Sequence, residues 1–583
     1  MTVKTPRKSV LMGNFEEAII MNLEEELEKG QRRNTLASLF DARPSIGGVL
    51  QKYTDVLGGK EALGKIRTRK LLGELIHDFP EDNPPKTVLP AEVTAASPDR
   101  WKLLLKTTAG PQQMGYDGKH GWIQDNVRIT MDDTQARSKL AYLFNPAAAL
   151  MFTEEDMQKD FIQLRSLLEN DHCCLYEYTG KEEFDRIFDE HFKLIDRPMR
   201  ADQFFKLTAS IVAKVGCMHT ALWMPGAFFD TGSDNLFPLQ VKLIEEKLVV
   251  SGCYNGAPQV PVGSIILEIN DRTAGDIFDE LRTITSADAL NPYFIDSQIE
   301  KRFAMFYASL FGFPDKYSVT YTLPGKKTQV TANLYPTDIG SVRNVVFANS
   351  DHPPLGLEFI EDQSTAIITV QTFSYYDRVD YFRDFMDDAF LKIKDKGIKN
   401  LILDLRGNDG GDPFCSVILY SYLEKRAVPY FAEPYGKYAE LADPIPVAPN
   451  HFTGRLFILL DGRCGSTNGH FSALLKYHRI GKFVGTPSGS TYKCNAGSNT
   501  EVRLDKTRLI LTFGRSTFAA AVEGMDKASP IMPDHPVQVK YQDFLDGKDV
   551  FMETTLGIIK NAKSYNTWIF SHRTVSVVNW RSL

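Results

Sequence analysis

Residues 454–497 read GRLFILLDGRCGSTNGHFSALLKYHRIGKFVGTPSGSTYKCNAG. Leu456 to Leu460 form a short apolar run, which predicts a buried strand. Asp461-Gly462 ends it. Cys464-Gly465-Ser466-Thr467-Asn468 is small and polar, and then Phe471, Ala473, Leu474, Leu475 and Tyr477 recur at helical spacing. Ser466 therefore falls at a strand-to-helix turn. Two readings fit that place. A serine before a helix most often caps it. A serine nucleophile uses the same place, because the unpaired N–H groups and positive dipole end of the helix stabilise an oxyanion. The rest of the chain has to decide between them.

Around this stretch, residues 341–545 alternate strand and helix. The strands are AIITVQTF, NLILDLRG, LFILLD and FVGT, and the helices are YFRDFMDDAFLKIKDKG, FCSVILYSYLEK and the one after Ser466. Apolar strands alternating with helices imply a sheet covered by helices. The tail, 546–583, adds a helix, DVFMETTLGIIKNAK. Upstream, 226–340 carries the hairpin PLQVKLIEEKLVVSG, a strand from Ile265 to Ile269, a helix starting near Gly275 and the strand pair YSVTYTLPG and QVTANLY. That order is PDZ-like, a module that binds a peptide end as an added strand. Residues 156–225 are helical, with Asp202 expected to cap DQFFKLTASIVAKVG. Residues 45–155 open on the helix-like SIGGVLQKYTDVLGGKEALGKI and continue as alternating stretches separated by Pro84-Pro85 and Asp117-Gly118, an antiparallel meander. Residues 1–44 are a charged extension.

Composition narrows the function. A chain of 583 residues is too long for a single core. Net charge is −7 and no dense Lys/Arg block occurs, which argues against nucleic acid as a partner. The seven cysteines are scattered without a CxxC pair, so neither zinc nor a disulfide framework is expected, and Cys173-Cys174 read as packing residues. Neither GxxxxGK[ST], GxGxxG nor HExxH occurs, so no cofactor or catalytic metal is expected. No apolar run approaches the ~20 residues of a membrane span. The start lacks a continuous apolar signal segment, which taken literally means a cytoplasmic chain.

At LILDLRGNDGG, residues 401–411, the chain resembles the "DLRgNpGG" segment of peptidase family S41, the tail-specific or C-terminal processing serine peptidases. LLDGRCGSTNGHFSALL stands where that family has its nucleophile, VGTPSGSTY matches its "vGe.T.G" loop, and IMPDHPV matches its "giiPDhpV" strand. SLLENDHCCLYEYTGKEEFD and DQFFKLTASIVAKVGCMHTALW resemble its cap and "igdGHT" segments. The resemblance runs in order from about residue 160 to 545. It is closer to the Ser–His–Glu branch of the tricorn core and chlamydial protease-like proteins than to the Ser–Lys branch. Thr491 occupies the lysine's place, and Lys493 lies two residues too far. The opening "kYtdvlGGkeAlgki" and the "YDGKHGW" hairpin are loosely similar to lipoprotein-carrier (LolA-like) domains.

The resemblance implies an α+β multidomain fold: a ClpP/crotonase-like α/β protease core, a PDZ-like module, a helical cap and an N-terminal antiparallel β-rich domain. It implies a serine endopeptidase acting on unstructured proteins or peptides, with self-association left open, in a family usually exported. A serine hydroxyl needs a base. His219, in GCMHT at a helix-to-strand turn, is the candidate, ahead of His470 and His478. By resemblance Glu523 is the third member, with Asp526 as runner-up, and Gly410, Gly411 and Thr467 line the oxyanion hole. Cys464 reads as buried packing, and Asp404 with Arg406 as a structural pair. The competing expectations are a catalytically inactive peptide- or lipid-binding protein on the same scaffold, and a crotonase-type acyl-CoA enzyme, against which the PDZ-like insertion argues.

Overall fold

The computed structural model describes residues 151–571, apart from 231–232, 257–258, 348–354, 361–363 and 494–496, together with six strands between 68 and 131. The extension 1–44 and the helix expected over SIGGVLQKYTDVLGGKEALGKI lie outside the described residues. The chain forms two compact units, Met1–Met151 and Phe152–Leu583.

In the first unit the expected alternating stretches pair in sequence order. Strands Thr68–His77, Thr87–Ala96, Arg100–Thr107, Gly110–Asp117, Gly121–Gln124 and Ile129–Met131 make one antiparallel meander.

The second unit begins with three helices, Glu154–Asp171, Lys181–Phe192 and Ala201–Ala213. The first buries Met157, Phe161, Leu164 and Leu168, a stripe at helical spacing, and Thr153 caps it by accepting from the Asp156 N–H. The third corrects an expectation. Asp202 lies inside the first turn and grips Arg200, while Gln203 reaches back to the Arg200 N–H.

An antiparallel sheet follows, ordered Leu239–Ile244, Lys247–Cys253, Ile265–Ile269, Tyr317–Thr322 and Gln329–Leu334. Its first hairpin turns at Glu245 and Glu246, at φ 51° and 57°. Helix Ala274–Ile284 starts where expected. The 20-residue helix Pro292–Phe311 was not anticipated. Glu300-Lys301-Arg302 interrupt its apolar pattern, and nearly all of its faces are covered, so no clean stripe shows in the sequence.

The core sheet runs Leu355–Ile360, Thr365–Val370, Asn400–Asp404, Arg455–Leu460, Lys482–Gly485 and His535–Pro536. The first strand is antiparallel to its neighbour and the remaining pairings are parallel. Strand alternation divides its side chains between two layers. Ala366, Ile368, Leu401, Leu403, Ile458 and Leu460 pack beneath helices Val379–Asp395, Pro413–Ser421 and Thr467–Tyr477. Ile367, Ile402, Phe457, Leu459 and Val484 pack against Phe551 and Ile559 of the last helix, Val550–Ser571. Both faces are therefore buried, as a parallel sheet requires.

A small three-stranded sheet ties the helical segment to this core. Ala221–Trp223 pairs with Ile510–Ser516, which pairs with Gly497–Arg503. Among the described residues no helix is long and apolar enough to cross a membrane.

Candidate active site

Ser466 occupies the N-cap position of helix Thr467–Tyr477, yet its side chain makes no cap bond. It sits at φ 52°, ψ −125°, in the left-handed region that non-glycine residues rarely enter. Its N–H donates to Ser490 Oγ at 2.9 Å, so the turn is held from the 488–490 loop. That geometry aims Oγ away from the helix and toward His219, whose Nε2 lies 3.0 Å away. The cap reading therefore fails, and the two candidates 247 residues apart in sequence meet within hydrogen-bond distance.

The glycine loop lies against the serine. Gly410 has φ 111°, and a Cβ there would stand 2.6 Å from Ser466 Cβ and 2.9 Å from Thr467 N. Only glycine permits that approach. Buried Asn408 shapes the loop: its Nδ2 donates to Val370 O, and its Oδ1 accepts the Gly410 N–H at 2.9 Å. The Gly410 N–H is thus committed within its own loop. Thr467 Oγ1 donates to Gly411 O at 2.5 Å, while neither the Thr467 nor the Gly411 N–H donates to another described residue.

His219 sits in a seven-residue turn between helix Ala201–Ala213 and strand Ala221–Trp223. The turn is held by a segment that sequence reasoning missed, Asp288–Asn291. The Ala289 N–H donates to Gly216 O at 2.9 Å, and the Met218 N–H to Asp288 Oδ1 at 2.9 Å. Asn291 Nδ2 donates to Ser488 O and Gly489 O at 2.8 and 3.0 Å. One four-residue strap therefore joins the His219 turn to the loop that holds Ser466. Asp288 is fully buried, and one of its carboxylate oxygens, a His219 ring nitrogen and Cys217 Sγ all lie within 4.8 Å of one another. His219 Nδ1 and Asp288 Oδ2 are both shielded from solvent. In the sequence, SADALNP gave no signal beyond an Asp before a turn.

The other candidates fall elsewhere. Glu523 is exposed in the loop that follows strand Ile510–Ser516, and no contact among the described residues joins it to His219. Exposed Asp526 is occupied by Ser529 Oγ and the Ala528 N–H. His470 is buried, with Nε2 2.6 Å from Phe518 O, and half-buried His478 meets Arg426 rather than facing open solvent. Cys464 is buried and its thiol is pushed well above the ordinary range by that burial. Asp404 and Arg406 pair at 2.6 Å, and Arg406 also reaches Asp549. Lys493 is drawn to Glu177 at 3.0 Å.

Cys173 and Cys174 are half-buried rather than packed away. With His172 they form a group of potential ligands within 4.8 Å. Both ring nitrogens of His172 are engaged, however, Nε2 with Thr220 Oγ1 at 2.7 Å and Nδ1 with the Cys174 N–H at 3.0 Å. Burial lowers the His172 pKa to about 4, so the ring is neutral at physiological pH. Burial pushes the Cys217 thiol up to about 12, which disfavours the thiolate a metal needs. A cavity of about 370 Å³ opens beside His219, walled by Met218 and Trp223, with Thr512 and Glu501 across the small sheet.

Residues 364–527 match the model of peptidase family S41. Among solved structures, mature CPAF complexed with lactacystin superposes with a TM-score of 0.52 at 12% identity, covering 70% of this chain and all of that one. Mature CPAF gives 0.51 at 10% identity, covering 73% of this chain and all of that one. At that identity the likeness is one of fold. No curated protein matches the chain in sequence.

Proposed function

From the premise that the chain carries a serine peptidase domain of family S41, over residues 364–527, we propose that Ser466 is its nucleophile and His219 its general base. The observation that carries the reading is the 3.0 Å approach of His219 Nε2 to Ser466 Oγ, with the serine held at positive φ and its side chain released from capping.

The chemistry follows. His219 Nε2 takes the Ser466 proton as Oγ attacks the peptide carbonyl. The oxyanion that forms is stabilised by the N–H groups of Thr467, at the helix start, and Gly411. Gly410 serves by letting the loop close on the serine. His219 then passes its proton to the leaving amine, and water enters to release the acyl group by the reverse sequence. The third member is Asp288 rather than Glu523: its buried carboxylate orients the His219 turn and favours the imidazolium formed during attack.

The substrate is an unstructured protein or peptide segment, with an extended chain passing the cavity beside His219. The 226–340 sheet is a PDZ-like module that selects or gates it by strand addition. The 341–545 core is of the ClpP/crotonase-like kind, with the helical 156–225 segment as cap and 546–583 as its outer helix.

Ser466→Ala tests the assignment. Cleavage of a casein-type substrate should fall by about a millionfold, and labelling by a serine-directed fluorophosphonate should disappear. Unchanged cleavage or labelling in that variant would overturn it. Lactacystin, the compound bound in the CPAF complex, is the corresponding inhibitor to try.

A further inference from the structure

Three thiols lie together behind the base. Cys173 Sγ and Cys174 Sγ are 2.9 Å apart and both are half-buried, within reach of small solutes. Cys217 stands between this pair and the site. It is close enough to feel the charge of Cys174, and its Sγ lies within 4.8 Å of a His219 nitrogen and an Asp288 oxygen. The hydrogen bond from the Cys174 thiol holds Cys173 below the ordinary thiol range, with Lys493 adding to the effect, and the Cys174 thiol is raised in turn. The shared hydrogen bond thus favours a thiolate on one sulfur of the pair and a retained proton on the other. The peptidase chemistry uses neither.

We propose that Cys173 and Cys174 form an oxidation site that closes to a vicinal disulfide and switches off the Ser466–His219 pair beside it. The switching half of this proposal rests on the peptidase reading above. The oxidant is a peroxide. The Cys173 thiolate attacks hydrogen peroxide, the O–O bond breaks, hydroxide leaves and a sulfenic acid forms. The Cys174 sulfur then attacks that sulfur. The S–S bond forms as the S–O bond breaks, and water carries off the thiol proton. The two sulfurs lose two electrons and the peroxide gains them.

Geometry makes this bridge a switch rather than a staple. Consecutive Cα atoms stand about 3.8 Å apart, below the roughly 4.4 Å minimum of ordinary bridges. The ring must therefore twist the peptide between the two cysteines, and strained, accessible disulfides are the ones reduced readily. That same peptide supplies the Cys174 N–H that His172 Nδ1 accepts at 3.0 Å. The other nitrogen of His172 holds Thr220 Oγ1 at 2.7 Å, one residue from His219. The Cys173 N–H donates to Gly514 O, in the strand that pairs with Ala221–Trp223. Twisting the peptide thus strains the links on both sides of the base.

The experiment treats the reduced full-length protein with hydrogen peroxide. Peptide mass spectrometry should find two hydrogens lost from the fragment carrying Cys173 and Cys174. Cleavage should fall by about a hundredfold, the cost of misplacing a catalytic group by about 1 Å, and return on adding dithiothreitol. Cys174→Ser should cleave normally when reduced and form no bridge. Should that variant fold poorly, Cys173→Ser serves in its place. Hydrogen exchange across 217–223 supplies a readout independent of activity, and should quicken on oxidation. A bridged protein with unchanged exchange and unchanged cleavage overturns the proposal, as does a peroxide-treated protein with no bridge. A reduced protein that neither cleaves nor takes the fluorophosphonate refutes the peptidase reading alone, because bridge and exchange still report on the thiols.

Discussion

The two halves of the Ser466–His219 pair are built by different means. Ser466 stands on the core sheet, at the end of a strand buried on both faces, with Gly410 pressed against it and Asn408 and Asn468 locking the loop beneath. Its position is set by sterics and backbone. His219 stands on a short turn outside that sheet, held by the Met218 N–H donating to Asp288, the Ala289 N–H donating to Gly216 O, and the bond between Thr220 and His172. Its position is set by a buried polar network. Packing tolerates almost no change in shape and little changes in charge. A polar network is the reverse, because each partner left unsatisfied in low dielectric is costly. The serine side should therefore break on added volume, and the histidine side on altered charge, pH or redox state.

The largest expected effect on the histidine side is Asp288→Asn, which should lower kcat/KM by about a thousandfold. A nearby carboxylate favours the imidazolium, and the base acts only when neutral. Losing the charge should therefore move the acid limb of the kcat/KM profile to lower pH. A purely structural role for Asp288 would lower activity and leave that limb in place. On the serine side, Gly410→Ala should cost at least about a hundredfold in kcat/KM. The added carbon meets Ser466 Cβ at 2.6 Å and the backbone at φ 111° disfavours any side chain, so folding should also weaken by about 1–3 kcal/mol, read by urea unfolding.

Asn291→Ala breaks the strap without touching Ser466 or His219. It should reduce stability by about 1–3 kcal/mol and kcat/KM more than it raises KM, because it loosens both halves at once. His172 contributes to the pH dependence of stability, because burial holds its pKa at about 4 in the fold against 6.5 in an unfolded chain. Its stabilising contribution is complete above about pH 6.5 and is lost as pH falls toward 4, by about 3 kcal/mol. His172→Gln should flatten that part of a urea midpoint-versus-pH curve. The smallest effect expected is that of Glu523→Gln, within about twofold of the parent in kcat/KM, since an exposed loop carboxylate is well screened.

The serine side was the legible side. LFILLD followed by small residues and a helical period locates the strand, the turn and Ser466, and LILDLRGNDGG locates the loop that meets it. These signals are local, and local periodicity is what a sequence displays. His219 was found only through a resemblance of its surroundings. The carboxylate beside it was not found: Glu523 came from the resemblance to the Ser–His–Glu branch, whereas Asp288 lies 69 positions from His219 in a turn with no pattern of its own. The long helix Pro292–Phe311, whose preceding Asn291 caps it through the Tyr293 N–H, was hidden because burial on many sides erases an amphipathic stripe.

The sequence by itself determined the helix-covered core sheet, the turn that presents Ser466 and the glycine that lets a loop approach it. All three follow from hydrophobic period, turn chemistry and the absence of a side chain. Only the tertiary structure decided that His219 reaches Ser466, that Asp288 rather than Glu523 stands behind it, and that Cys173, Cys174 and Cys217 gather there. Those outcomes depend on which groups are buried together. Burial is a property of chain segments brought together across dozens to hundreds of residues, and with the charges and hydrogen bonds gathered beside a group it sets the charge a carboxylate, an imidazole or a thiol will carry.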